Sequence, residues 1–357
     1  MTTKKIIYIS STRLEYSLNA VCIKGLRENG INVLGLYVQD KGVRGFMRAL
    51  SFYRNNSRDA GLVIIGFDSP AILIFLRPFC RKKIVYNAFR SIYEGLIISR
   101  KLAPPFSVKA IYYWLLDFIA VRFADLTIVE TNHQLNFFKK MFRISEKTMY
   151  RNWIGVDENI FFYDSTISRF DVFTVLFRGA LMPEAGAEYA IKAAKILENQ
   201  NIKFILIGGG ILLDKTKELI EELKPKNLEL ITDFLPQEKL REIMQRCHLS
   251  LGQLSDHDRL ARTIPHKAYE SLAMKLPYLT ASNAGILELL TPDETCLTCN
   301  PADAKSLAQK IMWAKSNYSI AENIAENGYR LYQDKLTSRI LAKNLLDRVS
   351  NIFSCKK

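Results

Sequence analysis

No stretch of this 357-residue chain is long and apolar enough to span a bilayer. The longest apolar run, Leu62 to Leu76, is interrupted by Asp68 and Pro70 and falls short of the ~20 residues a spanning helix requires. It reads as a buried strand, a loop and the start of a helix. A secretory leader is not expected, because Lys4-Lys5 is followed only by Ile6-Ile7-Tyr8-Ile9 before serines begin. Cysteine is sparse. The six thiols lie far apart except Cys296 and Cys299, and a C-x-x-C without a second pair argues against zinc or redox chemistry. They read as reduced thiols of a cytoplasmic protein. Asp256-His257-Asp258 cannot turn three adjacent side chains onto one ion from regular structure, so no metal is expected. A spaced G-x-G-x-x-G is also missing, which disfavours a dehydrogenase. Acidic residues number 36 against 50 basic ones, a formal charge of +14. That balance favours acidic partners such as anionic lipid or phosphorylated small molecules. Without a clustered basic and aromatic motif, nucleic acid is not expected to be one of them.

What is present is a soluble, globular composition, 48% hydrophobic and 24% charged, in a chain long enough for two cores. Lys4 to Ser10, Leu14 to Asn29 and Ile31 to Tyr37 read strand, helix, strand, the opening of a parallel doubly wound sheet. Phe46 to Arg54 is a basic amphipathic helix. Strands are expected at Leu62 to Gly66, Ile84 to Asn87 and Ala124 to Val129. In such sheets ligands meet the carboxyl ends of strands, which makes Arg13, Asp68 and Arg90, all in loops after strands, candidates to meet a ligand. Residues 99–131 are basic and aromatic. Their helix, Ala110 to Phe123, with a narrow polar face at Asp117 and Arg122, suits either a membrane interface or a core position. The alternation restarts after residue 155. Strands are expected at Val172 to Phe177, Phe204 to Ile207, Leu228 to Ile231 and Leu249 to Gln253, with helices at Glu188 to Glu198 and Leu240 to Cys247. Gly208-Gly209-Gly210 let a ligand approach the backbone closely. Ala304 to Tyr318 and Ala321 to Phe353 read as the closing helices.

The most informative stretch is RTIPHKAYESLAMKLPYLTASNAGILE, Arg262 to Glu288. Thr263 can cap a helix, Pro265 suits a first turn, and the apolar spacing runs to Leu276-Pro277. Tyr278 to Ala281 is a strand, Ser282 to Gly285 a turn, and Glu288 opens the next element. Free amides at a helix start attract anions, and a carboxylate one turn further in accepts from a diol. Phosphate and ribose together point to a nucleotide.

Pro265-x-Lys267-x-x-Glu270-x-x-Ala273, followed by Pro277, Gly285 and Glu288, resembles the donor-site signature of family-4 (group 1) GT-B glycosyltransferases, in its P-x-K-x-x-E variant. The resemblance implies two Rossmann-like doubly wound α/β domains facing across a cleft: residues 1–155 for the acceptor, 156–335 for the donor, and a last helix, 336–357, crossing back. It implies that Glu270 binds the ribose. Gly179, Gly208, Gly209, Phe234, Leu235, Thr263, Ile264, Ser271 and Leu272 would line the rest of the donor site. The chain departs from the family at Arg262, where the common motif has a second glutamate, and at Ala180 and Ala185, where G-R-L-x-P-E-K-G would place an arginine and a lysine. We therefore assign charge neutralisation of the departing diphosphate to Arg178, Arg262 and Lys267. The function implied is retaining transfer from a UDP- or GDP-sugar to a saccharide or a polyprenyl or other lipid-linked acceptor, in envelope polysaccharide or glycolipid assembly at the inner face of the cell membrane. The alternative is a catalytically degenerate GT-B module that binds a nucleotide or a partner protein.

Overall fold

The computed structural model describes residues 4–354. They form two compact units, one reaching to Asp157 and resuming at Leu336, the other Glu158–Lys335. In the first, the elements are β1 (Lys5–Ser10), α1 (Ser17–Glu28), β2 (Asn32–Tyr37), α2 (Gly42–Asn56), β3 (Leu62–Ile65), α3 (Pro70–Leu76), β4 (Lys83–Phe89), α4 (Val108–Phe123), β5 (Leu126–Val129), α5 (Asn132–Phe142) and β6 (Met149–Arg151). The six strands pair in parallel in the order β2-β1-β3-β4-β5-β6. Their apolar runs, such as KIIYIS in β1, are covered on both faces, as a parallel sheet requires. Ile7 and Ile9 pack with Ala49 and Leu50 of α2, Leu73 of α3, Ala120 of α4 and Phe138 of α5, so these four helices form one layer. On the opposite face, Tyr8 donates to Asn19 of α1 at 2.8 Å.

The second unit contains β7 (Phe173–Arg178), α6 (Ala187–Ile196), β8 (Ile202–Ile207), α7 (Leu213–Leu223), β9 (Leu228–Ile231), α8 (Gln237–Arg246), β10 (Leu249–Leu251), α9 (His266–Ala273), β11 (Tyr278–Ala281), α10 (Ala284–Leu287), β12 (Leu297–Cys299), α11 (Ala304–Ser316) and α12 (Tyr318–Lys335). Its parallel strands run β12-β11-β10-β7-β8-β9. This order reverses between β7 and β10, the crevice where doubly wound sheets hold ligands. The last helix, α13 (Ser338–Ser354), returns to the first unit and lies on α1 so closely that a Cβ at Gly25 would sit 1.9 Å from the Ser338 carbonyl oxygen. The two-sheet α/β expectation holds.

Several local expectations change. The last strand of the first sheet is β6, not Ala124 to Val129; three residues, Met149–Arg151, are too few to show a period of two. The closing stretch Ala321 to Phe353 is two helices, broken at Leu336-Thr337. Thr337 accepts from the Ile340 amide at 3.4 Å, and with no Gly or Pro at the break the apolar periodicity runs straight through it. Residues 355–357 of the expected last helix lie outside the described residues. Asp117 is not on a polar face: it is 2% exposed, turned into the unit. Among the described residues no helix is long and apolar enough to cross a membrane.

Candidate functional site

The donor-side candidates gather at the β7/β10 switch point of the second unit. Arg178 is the last residue of β7, and its guanidinium forms an ion pair with the Glu270 carboxylate of α9. One turn earlier on α9, Lys267 donates from Nζ to the Gly252 carbonyl, just beyond β10, at 3.4 Å and stands 4.2 Å from the centre of the Phe177 ring. Lys267 thus spans the crevice from the end of β10 to the end of β7. Gly179 stands beside it, where a Cβ would make ordinary contact with Nζ at 3.6 Å, but its φ of +133° suits only glycine. Gly208 packs against the same loop, where a Cβ would meet the Gly179 carbonyl oxygen at 2.1 Å, whereas a Cβ at Gly209 would meet open space.

Every residue of α9 from Lys267 to Ala273 is buried. Burial accordingly dominates the electrostatics. It pushes Lys267 down to about 7 and His266 down to about 4, each assisted by the Arg178 charge, and lowers Arg178 itself to about 10. The end of β7 and the first turns of α9 thus bring together the partly buried Arg178 with its partner Glu270, a buried Lys267 and a half-buried His266 that resists protonation. Such a pocket stabilises an added anion, because every proton on it is held against a desolvation cost.

The other candidates divide. Phe234, 93% exposed, stands just beyond β9, two strands from β7 and so on the order of 10 Å across the sheet from Arg178. Leu235 packs instead against the core beneath it. Thr263 does not cap α9. Its hydroxyl donates to the Arg259 carbonyl at 3.3 Å, and the N-cap position is Pro265, in extended conformation. Ile264 is buried. Ser271 follows Lys267 by one turn on the same face of α9 and hydrogen-bonds with Ser250 Oγ of β10 at 3.0 Å, whereas Leu272 lies on another face. Ser271 donates to Lys267 O at 2.7 Å, and Leu272 reaches toward Gly328 of α12. Arg262 closes the turn Asp258–Ala261 and donates to Asp258 at 2.7 Å. Nearby Arg259 donates to Glu184 at 2.9 Å. Ala180 is exposed and Ala185 lies in the core. Gly285 falls inside α10, which Glu288 closes rather than opens.

In the first unit, Asp68 and Arg90 meet: Arg90 donates to the Asp68 carboxylate at 2.8 Å, across the carboxyl ends of β3 and β4. Arg13 is exposed in the loop after β1. Two residues of this region were not anticipated. Asn19 donates to Ser10 Oγ and to the Thr12 and Arg13 carbonyls while accepting from the Phe67 amide, which shapes both loops. Asp117 accepts from Ser91 Oγ at 2.6 Å and from the Tyr93 amide at 2.9 Å; burial nevertheless raises it to about 7, with the Asp68 charge adding to the rise. A single carboxylate inside the apolar run YYWLLDFIAV was the signal that could have exposed it.

Comparison with known proteins bears on both units. Residues 166–331 match the family model described as glycosyl transferases group 1. An uncharacterised glycosyltransferase of Methanocaldococcus jannaschii is 23% identical over 203 residues, covering 57% of this chain and 48% of the relative, so the match spans about half of that protein's length. Among solved structures, Anabaena HepE in complex with UDP and glucose superposes with a TM-score of 0.73 at 16% identity, covering 98% of this chain and all of that one. Sucrose-phosphate synthase from Thermosynechococcus elongatus gives 0.75 at 12% identity, over 99% and 100% of the two chains. In sequence the chain is similar to the group 1 glycosyl transferases through residues 166–331, and in architecture it has the GT-B fold.

Proposed function

We propose that this protein transfers a sugar from a nucleoside diphosphate donor, held by the second unit, to an acceptor met by the carboxyl edge of the first sheet. The observation that carries this reading is the cation-rich crevice at the switch point: the partly buried Arg178 paired with the buried Glu270, and the buried Lys267 one turn earlier on the same helix. In this reading the diphosphate lies between Arg178, Lys267 and the amides opening α9, and Glu270 exchanges Arg178 for the ribose hydroxyls. The exposed ring of Phe234 covers the base. UDP in the structure of a similar fold supports a uridine donor, with guanosine the alternative. Arg178 and Lys267 neutralise the leaving diphosphate, with Arg262 at the rim, so no metal is required; removing one such donor typically costs ~3 kcal/mol of barrier.

We further infer that transfer retains configuration, as in the P-x-K-x-x-E branch of family 4, and that the acceptor is a saccharide or lipid-linked saccharide of envelope assembly reached at a membrane face. Arg13 and the Asp68–Arg90 pair are the groups placed to meet its hydroxyls or phosphate. Calorimetry with UDP, GDP and ADP, with and without common sugars, tests the donor site on wild type and Glu270→Ala. One nucleotide should bind in the micromolar range and be lost in the variant. Equal binding by both proteins, or none by either, would sink the assignment. Nucleotide binding without transfer to any acceptor would identify the degenerate module instead.

A further inference from the structure

The chain's positive excess belongs entirely to one unit. Residues 1–157 and 336–357 contain 29 Lys and Arg against 12 Asp and Glu, a balance of +17; residues 158–335 contain 21 against 24, a balance of −3. Within the first unit the charge accompanies apolar surface. α4 is apolar on two faces. Ala110, Ala120 and Val121 turn into the core, while Val108, Ile111, Tyr112 and Leu115, spaced i, i+3, i+4 and i+7, form a second stripe that is exposed. The loop before it adds Phe106, 93% exposed, beside Val108 at 86%. Exposed Lys101 and Lys109 flank this stripe. In the same helical layer α2 exposes Val43 and Met47 among Lys41, Arg44 and Arg48. Neither helix offers a carboxylate to solvent: α2 has no Asp or Glu, and the one in α4 is the buried Asp117.

Adjacent side chains as apolar as Phe106 and Val108 stay in water only at a cost in free energy. Their basic surroundings repel a basic partner and attract an anionic one. Apolar side chains that enter the headgroup boundary, with Lys and Arg meeting lipid phosphates beside them, are the arrangement by which a helix lies on an acidic bilayer. We propose that the outer faces of α4 and α2, led by Phe106 and Val108, dock the first unit on an anionic lipid surface. This gives a place on the fold to the membrane contact of the function proposed above. Vesicle binding and nucleotide binding are separate measurements, so either can fail while the other stands.

The test is co-sedimentation of the full chain with vesicles of phosphatidylcholine alone and of phosphatidylcholine with one quarter phosphatidylglycerol. Wild type should bind the anionic vesicles at least about tenfold more tightly, and 0.5 M salt should weaken that binding. The pair Phe106→Ser with Tyr112→Ser, and separately Lys101→Glu with Lys109→Glu, should each lower it about tenfold or more. Ile211→Ser, which removes an exposed apolar side chain of the second unit, should leave it unchanged. No vesicle binding by wild type overturns the proposal, as does binding by either paired variant equal to that of wild type. A wild type that ignores vesicles but self-associates, and becomes monomeric on Phe106→Ser, overturns it in favour of a protein interface.

Discussion

At neutral pH Lys267 is about half protonated, since burial and the neighbouring Arg178 hold its pKa to about 7. A bound diphosphate favours the charged form, so binding takes up a proton above that value. Nucleotide affinity should therefore be greatest below pH 7 and fall as pH rises through 7 to 9, and this slope should disappear in Lys267→Met when affinity is measured by calorimetry across that range. The same residue opposes folding. Between about 7 and the unfolded value of 10.5 the unfolded chain binds more protons, so this group's contribution to stability increases with pH across that window and is flat below it. Lys267→Met should gain about 1–3 kcal/mol at neutral pH, read from the denaturation midpoint, while losing donor affinity. Glu270→Gln keeps the shape of the carboxylate but not its charge, and should weaken nucleotide binding about 10- to 100-fold. Glu270→Ala should also lower stability by about 1–3 kcal/mol, because it leaves the partly buried Arg178 without its counter-ion. Lys267 and Glu270 were singled out through the P-x-K-x-x-E resemblance, and the structure places both on one buried helix. Arg178 was legible only as a charge at the end of a strand, and Asp117 was misread because helical periodicity does not reveal which of two apolar faces a carboxylate joins.

The loops between elements depend on contacts as tight as those of the core. Gly208→Ala places a methyl group against the Gly179 backbone and should cost about 1–3 kcal/mol or more, whereas Gly209→Ala, one residue on, meets open space. Thermal unfolding of the two variants checks this; equal midpoints would mean that the two glycine loops are not packed as described. The elements themselves followed from local patterns wherever the pattern was long. β9 and β11 lie at the short apolar runs where they were expected, and α6 buries Ala190, Ile191, Ala194 and the adjoining Leu197 as its spacing requires. Failures fell on short or unpunctuated segments. β6 owes its existence to pairing with β5, and the α12/α13 break to the packing of α13 on α1.

Each unit has its own hydrophobic core, one around β1 and β3, the other around β7 and β8. Two cooperative transitions are therefore expected on heating. A nucleotide at 100 times its dissociation constant adds about 2.7 kcal/mol to the unit that binds it. In differential scanning calorimetry this should raise one transition by about 5–10 °C and leave the other in place. A shift of both by the same amount would mean that the units melt together. The uneven charge, +17 against −3, gives this two-unit molecule a polarity that the total of +14 conceals.

Taken alone, the sequence determined the alternation of strands and helices, the two parallel sheets they imply, and the P-x-K-x-x-E helix with its following strand. These are patterns written within a few residues of one another, through the periods of 2.0 and 3.6. Tertiary structure alone decided what the charges do. Arg178 meets Glu270 across 92 positions of the chain, Arg90 meets Asp68 across 22, and Arg262 goes to Asp258. It also decided that the second apolar face of α4 stays uncovered. A side chain's partner, and the water it loses on burial, depend on which distant strands the sheet brings together, and no local period records that.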